Sequence, residues 1–189
     1  MAVGKNDLIL RDRLQFDVDA NGDVATVYGR IDLSDFVNVV SAKGLAIKEV
    51  RYQLRDPTGG GNTGNIDPTL LSGGATEASF KLYATTSAYE NAADVGISSP
   101  NVLSVLVMTS TRISLPTGEA LQNATVEYST PDLHPQGYNV VTDLLIGIAG
   151  DKVTRYADMT LEVDIMLIAE PIKLSKDDLN DMLIQAQDL

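Results

Sequence analysis

Two stretches of this chain alternate apolar and polar residues with a period of two. That pattern limits the fold more than any other feature. In "EVRYQLR" (49–55), Val50, Tyr52 and Leu54 share one side, and Glu49, Arg51, Gln53 and Arg55 share the other. In "TLEVDIML" (160–167), Leu161, Val163, Ile165 and Leu167 alternate with Glu162 and Asp164. Successive side chains of a strand point to opposite faces, so each stretch reads as a strand with one face on a core and one in water. "VLSVLVM" (102–108) is apolar almost throughout and reads as a central strand covered on both faces. By the same signals strands are expected at 9–18, 24–33, 47–55, 78–86, 102–115, 125–130, 140–149 and 159–169.

About eight antiparallel strands joined by long loops imply an all-β, two-sheet sandwich, either immunoglobulin-like or a jelly roll. The immunoglobulin signature needs Cys and Trp, and the chain has neither. A single jelly roll over residues 1–174 is therefore expected. Residues 175–189 read as a short C-terminal amphipathic α-helix. Ser175 is its N-cap and Asp178 the partner of a capping box, while Leu179, Met182, Leu183 and Ala186 share one face. Pro171 is expected to separate this helix from the last strand.

Residues 17–23, "DVDANGD", copy the opening of an EF-hand calcium loop. Position 12 of that loop falls on Tyr28, where a bidentate Glu is required, and the flanks are strand-like. Asn21-Gly22 between two alternating runs is instead a β-hairpin signal. That hairpin would set Val18 against Ala25, Phe16 against Val27 and Leu14 against Gly29, with Gln15, Asp17 and Asp19 in water. Of the connectors, "RDPTGGGNTGNIDPTLLSGG" (55–74) is expected to be the most flexible, and "SAYENAADVGISSPN" (87–101) to hold one helical turn.

No catalytic or metal-binding residue can be named. The absence of cysteine removes disulfides, thiolate metal sites and cysteine nucleophiles. "GGGNTG" (59–64) lacks the following helix that a dinucleotide fingerprint needs. His134 is the only histidine, in a Pro-bounded loop with Asp132, and no G-x-S-x-G elbow accompanies it. "NAT" (123–125) is a glycosylation sequon without an export signal beside it. No cofactor and no enzymatic activity are expected. The opening residues do not read as a signal peptide, and no apolar run is long enough to span a bilayer, so a protein soluble when made is expected.

The net charge of −12 disfavours direct contact with nucleic acid, and the 14 basic residues are scattered with no run longer than one. The acids are mostly Asp, 19 against 7 Glu. Such a surface repels itself at ordinary ionic strength and is screened in molar salt, where the Debye length is about 3 Å. A salt-rich source is one reading of this, and an ordinary acidic protein the other.

Taken whole, residues 1–189 resemble the small major capsid protein of haloarchaeal icosahedral viruses with an internal membrane, the sphaerolipovirus type. The resemblance rests on chain length, the opening "MAVGKNDLILRDRLQFDVD", the acidic balance, the missing cysteines, and the strands from "AIKEVRYQLRDP" to "MTLEVDIMLIAEP". It implies a single jelly roll standing upright in a virion shell, made in the host cytoplasm. It also implies a subunit that pairs with itself as a homodimer and with a larger sister capsid protein, in pseudo-hexameric capsomers above a lipid membrane. The alternative is a carbohydrate- or ligand-binding β-sandwich module using the Gly-rich loop or Tyr83, Tyr89 and Tyr138 as contacts.

Overall fold

A computed structural model describes residues 7–58, 63–129 and 137–185. It holds nine strands: β1 Leu8–Asp17, β2 Val24–Ile31, β3 Lys43–Arg55, β4 Glu77–Thr85, β5 Val102–Leu115, β6 Gly118–Ser129, β7 Tyr138–Val140, β8 Leu144–Asp151 and β9 Thr160–Lys173. One helix follows, α1 Lys176–Gln185. The strands form two antiparallel sheets, ordered β1-β9-β3-β7 and β2-β8-β4-β5-β6. Apart from the run β4-β5-β6, every step along the chain changes sheet. This is the jelly-roll winding of two Greek keys, with β6 added at the outer edge of the five-stranded sheet.

The alternation read from the sequence is what fills the space between the sheets. Val50 and Leu54 of β3 and Leu161, Val163, Ile165 and Leu167 of β9 are all buried. They meet Phe80, Leu82, Ile146 and Ile148 from the opposite sheet in one core. Phe16 and Phe80 pack edge to face, 6.0 Å between ring centroids, a preferred aromatic geometry. Tyr52 also points inward, and its hydroxyl lies 2.5 Å from Ser104 Oγ. The 102–108 part of β5 is covered on both sides as expected, by the core and by residues 86–101, which cross the outside of the five-stranded sheet. Within that crossing, Asn91 caps a single 3-10 turn, Ala92–Asp94.

The Asn21-Gly22 turn exists, but it does not close a hairpin. β1 pairs with β9 and β2 with β8. Gly22 alone takes a positive φ, +85°, and its amide donates to Asp19 C=O at 3.0 Å. The 152–159 loop clamps this corner, through Val153 N–H to Gly22 C=O (2.7 Å) and Val18 N–H to Met159 C=O (2.9 Å). Leu14 does lie on Gly29, but across the sandwich: a Cβ added at Gly29 would stand 1.9 Å from Leu14 Cδ1. Two strands that each bury one face satisfy that need equally well side by side or in opposed sheets, and here long-range pairing with β8 and β9 decides.

Three other expectations change. The run 140–149 is two strands in two sheets, β7 and β8. The corner between them is held by Asp143, which accepts from Leu33 N–H at 2.9 Å and from Arg30 Nε at 2.7 Å. Pro171 lies inside β9, opposite Leu45 of β3. Among the described residues β1 pairs with β9 only as far as Ala169, so Pro171 stands where the ladder is paired on the β3 side alone, a position that tolerates proline. The connector after β3 is anchored where it is described. Leu70 and Leu71 are buried, Leu70 N–H donates to Ser110 Oγ (2.9 Å), and Asp67 N–H donates to the Tyr156 hydroxyl (2.6 Å). Gly59 to Asn62 lie outside the described residues, as do Asp132 and His134.

At the start of α1, Asp178 N–H donates to Ser175 Oγ (3.1 Å) and the Ser175 hydroxyl donates to Asp178 Oδ2 (2.7 Å). The first bond is the N-cap the sequence signals, and the second joins the two side chains, where a capping box would return a bond to the Ser175 N–H. Leu179 is buried and Met182 half-buried, so the helix lays part of its apolar face on its own sandwich. Ala186 lies outside the described residues.

Candidate interaction surface

None of the tyrosines proposed as ligand contacts is fully exposed. Tyr83 is fully buried, and Tyr89 is half-buried beside it under residues 86–101. Tyr138 is on β7, in the other sheet. Burial pushes the Tyr83 and Tyr138 hydroxyls up from their ordinary range. Lys81 enters the same cover, donating to the carbonyls of Ala92 (2.7 Å) and Val95. Burial pushes its ammonium pKa down. Tyr83, Tyr89 and Lys81 thus help pin a loop to a sheet.

The carboxylates of residues 17–23 are spent on their own turn and on the 152–160 segment beside it. Asp19 accepts from the amides of Asn21 (2.8 Å) and Asp23 (2.7 Å), and the Asp23 amide bond leads in holding its carboxyl below the usual carboxylate range. Asp17 accepts from Thr160 Oγ1 at 2.6 Å, and Asp23 from Lys152 N–H at 2.9 Å. Among the described residues no three His, Asp or Glu side chains gather as a metal-holding group. The sequon residue Asn123 is tied to Ser110 Oγ (2.7 Å) and Thr69 Oγ1 (3.2 Å).

What the fold leaves open is an edge. β6 pairs with β5 along its whole length, from Ser104 opposite Ser129 to Leu115 opposite Gly118. Among the described residues, its other side has no strand beside it. β4 covers β5 only as far as Thr111, so the tip of the hairpin, turning at Pro116 and Thr117, extends past the rest of the sheet. Facing residues of an antiparallel pair lie on one side, so register assigns the faces. Val105, Val107, Thr109, Thr111, Ile113 and Leu115 share the outer face with Tyr128, Val126, Ala124, Gln122 and Ala120. None of these eleven is charged. Ile113, Leu115, Val126 and Tyr128 are between 40% and 48% exposed. Glu119 and Glu127 fall on the opposite face.

This inverts the usual order, in which an edge strand turns charge outward to prevent pairing. A chain of net −12 has ample charge to place there, and it places none. Two like-charged copies approach most easily where neither carries charge. An unpaired ladder of N–H and C=O groups beside an apolar stripe is the equipment for strand-to-strand or face-to-face association.

The outer face of the four-stranded sheet is built differently. Register sets its side chains in rows: Gln15, Glu162, Arg55; then Arg13, Asp164, Gln53; then Arg11, Met166, Arg51; then Ile9, Ile168, Glu49. Glu162 is buried beneath Gln15 Nε2 (2.8 Å), Arg55 (3.3 Å) and Arg13 (3.6 Å). Arg13 Nε donates to Asp164 at 2.5 Å, and this bond leads in holding the Asp164 carboxyl below its usual range. The basic residues that are scattered in sequence thus converge on one face. Sequence reading missed them, although "RDR" and "RYQLR" space arginines at i, i+2 and i, i+4, the spacing that puts them on one side of a strand.

No helix of the described residues is long and apolar enough to cross a membrane. No protein-family model matches this chain, and no curated protein matches it.

Proposed function

We propose that this chain is a structural capsid protein, a single jelly-roll subunit that associates with itself and with a larger sister capsid protein. In this reading the pairs build pseudo-hexameric capsomers of an icosahedral shell over an internal membrane. The observation that carries the reading is β6: a twelve-residue edge strand, paired on one side only among the described residues, whose outer face holds no charge on a chain of net −12. The jelly-roll order of the sheets and the whole-chain resemblance to small haloarchaeal capsid proteins support it. The work of the subunit is then geometric. The rigid sandwich sets wall thickness, and edges and termini make lateral contacts. The acidic surface suits a protein separated from the genome by lipid, and assembly in molar salt, where like charges are screened.

The test is sedimentation of native source material through a density gradient in molar salt, with this chain quantified in each fraction. The expected result is a peak with lipid and DNA in a large particle, near-stoichiometric with one sister protein. A chain that stays at the top of the gradient as monomer or dimer overturns the shell reading.

A further inference from the structure

Lys48, Asp7 and Glu170 bring one amine and two carboxylates together across the four-stranded sheet. Lys48 is the extra residue of a bulge in β3: Ile47 faces Ala169, Glu49 faces Ile168, and Lys48 has no register partner. A bulge re-aims the side chain it carries, and here Nζ reaches over β9. It lies 2.7 Å from Asp7 Oδ1, just ahead of β1, and 2.7 Å from Glu170 Oε2 on β9. The Asp7 side chain is only 4% exposed, Lys48 is partly exposed, and Glu170 is the most open of the three. Gly137 lies over the Lys48 stem, where an added Cβ would stand 3.3 Å from Lys48 Cγ.

This pair differs chemically from the arginine pairs of the same sheet. Arg13 and Arg55 hold Asp164 and Glu162 through guanidinium groups that keep their charge. A lysine amine is a nucleophile once it has lost its proton. Asp7 and then Glu170 raise the Lys48 pKa, so water does not take that proton at neutral pH. Asp7 itself can take it, because shielding from water favours a neutral amine and a neutral acid over two charges. A carboxylic acid is then held against a free amine by the fold. Effective molarities of well-oriented groups reach about 10⁵–10⁸ M, far above the concentration of water, so condensation is favoured over hydrolysis.

We propose that Lys48 and Asp7 condense to an intramolecular isopeptide bond, with Glu170 as the proton carrier. Lys48 Nζ adds to Asp7 Cγ. Glu170 accepts a proton from the attacking nitrogen and returns it to the departing hydroxyl, which leaves as water. One C–N bond forms, one C–O bond breaks, and no oxidant, reductant or activated group takes part. Glu170 ends as the carboxylate it began as. One positive and one negative charge disappear together, so the net charge is unchanged. The bond joins positions 41 residues apart. It ties the entry of β1, an edge strand among the described residues, to β3 across β9. A chain without cysteine has no disulfide to do this, and a crosslink of this kind removes freedom from the unfolded state.

The test is the intact mass of the purified full chain. The expected mass is about 18 Da, one water, below that of the sequence after any removal of Met1. Trypsin should fail to cut after Lys48 and should release residues 6–11 joined to residues 44–51. Fragmentation should then place the bond between Asp7 and Lys48. Lys48→Arg keeps the charge and loses the amine, so it should show its full sequence mass, with an unchanged circular dichroism spectrum showing that it has folded. Glu170→Gln cannot carry the proton. Its crosslinked fraction, followed during cell-free synthesis, should rise at least about tenfold more slowly than in wild type. Wild type at its full sequence mass after days in solution overturns the proposal, as does a water loss that fragmentation places elsewhere. Glu170→Gln crosslinking at the wild-type rate overturns the role of Glu170.

Discussion

Tyr28 and Tyr83 meet edge to face across the outer side of the five-stranded sheet, with ring centroids 5.9 Å apart and hydroxyls 2.7 Å apart. The Tyr28 hydroxyl also donates to Tyr89 C=O (2.9 Å) and accepts from Tyr89 N–H (2.7 Å). It has a single proton, so Tyr83 is the donor in the tyrosine pair. One oxygen therefore satisfies three groups that are otherwise shut away from water. Tyr28→Phe keeps the ring and removes all three bonds. Leaving buried polar groups unpaired costs about 1–3 kcal/mol. The urea midpoint should fall, and amide exchange should quicken selectively in residues 86–101. Uniform quickening across the chain would show that this oxygen does not pin the loop.

Gly147 is opposite Tyr83 in the β4–β8 ladder, and a Cβ placed on it would come within 2.1 Å of the Tyr83 ring. The ring cannot rotate away without losing Tyr28. Gly147→Ala should destabilise by about 1–3 kcal/mol, the usual range for overpacking. Adding Tyr83→Leu should recover part of that loss if the clash is the cause. Additive losses in the double variant would place the cause elsewhere.

Val126 and Tyr128 are exposed, and nothing in the monomer depends on their being apolar. Val126→Lys is expected to change the unfolding free energy by no more than about 0.5 kcal/mol. It should nevertheless abolish association through β6, because a buried unpaired ammonium at a seam is expensive. Sedimentation velocity beside urea titration separates the two effects. A variant that associates like wild type removes β6 from the interface.

The Asp164 carboxyl is held below its ordinary range by Arg13 first, then by the charges of Arg13 and Arg55. A depressed carboxylate pKa contributes stability above the unfolded value, about 3.9. That contribution disappears as pH falls through the folded value. Wild type should therefore melt higher than Asp164→Asn between pH 5 and pH 7, measured by thermal scans in modest salt. The two curves should converge as pH drops below about 3. A constant offset down to the most acidic point would assign the effect to packing and not to charge.

Much of the fold was legible because burial on one face of a strand leaves a direct trace. Val50, Tyr52 and Leu54 announced β3, and Ser175 with Asp178 announced the start of α1. The choice of sheet was not legible. Asn21-Gly22 has the same local chemistry whether the flanking strands pair or part, and β8 and β9, more than a hundred residues away, decide it. The corner at Asp143 hid inside an apolar run because the run continues on both sides, in two different sheets. The outer face of β6 shared this fate. Alternation in "ATVEY" shows that Val126 and Tyr128 lie together, but only the sheet order shows that this side faces away from the core. The Arg-rich face needed two registers at once, since Arg11 and Arg51 share a row only through Met166.

The pairing of β1 with β9 also bears on synthesis. Arg13 and Asp164, joined across that ladder, are 151 residues apart in the chain. At about 5–20 residues per second, β1 waits roughly 8 to 30 seconds for its neighbour to be translated. β3 waits for the same strand. The four-stranded sheet therefore cannot close before β9 has emerged, and its apolar face stays uncovered until then. Folding is dominated by distant contacts, which predicts slow refolding.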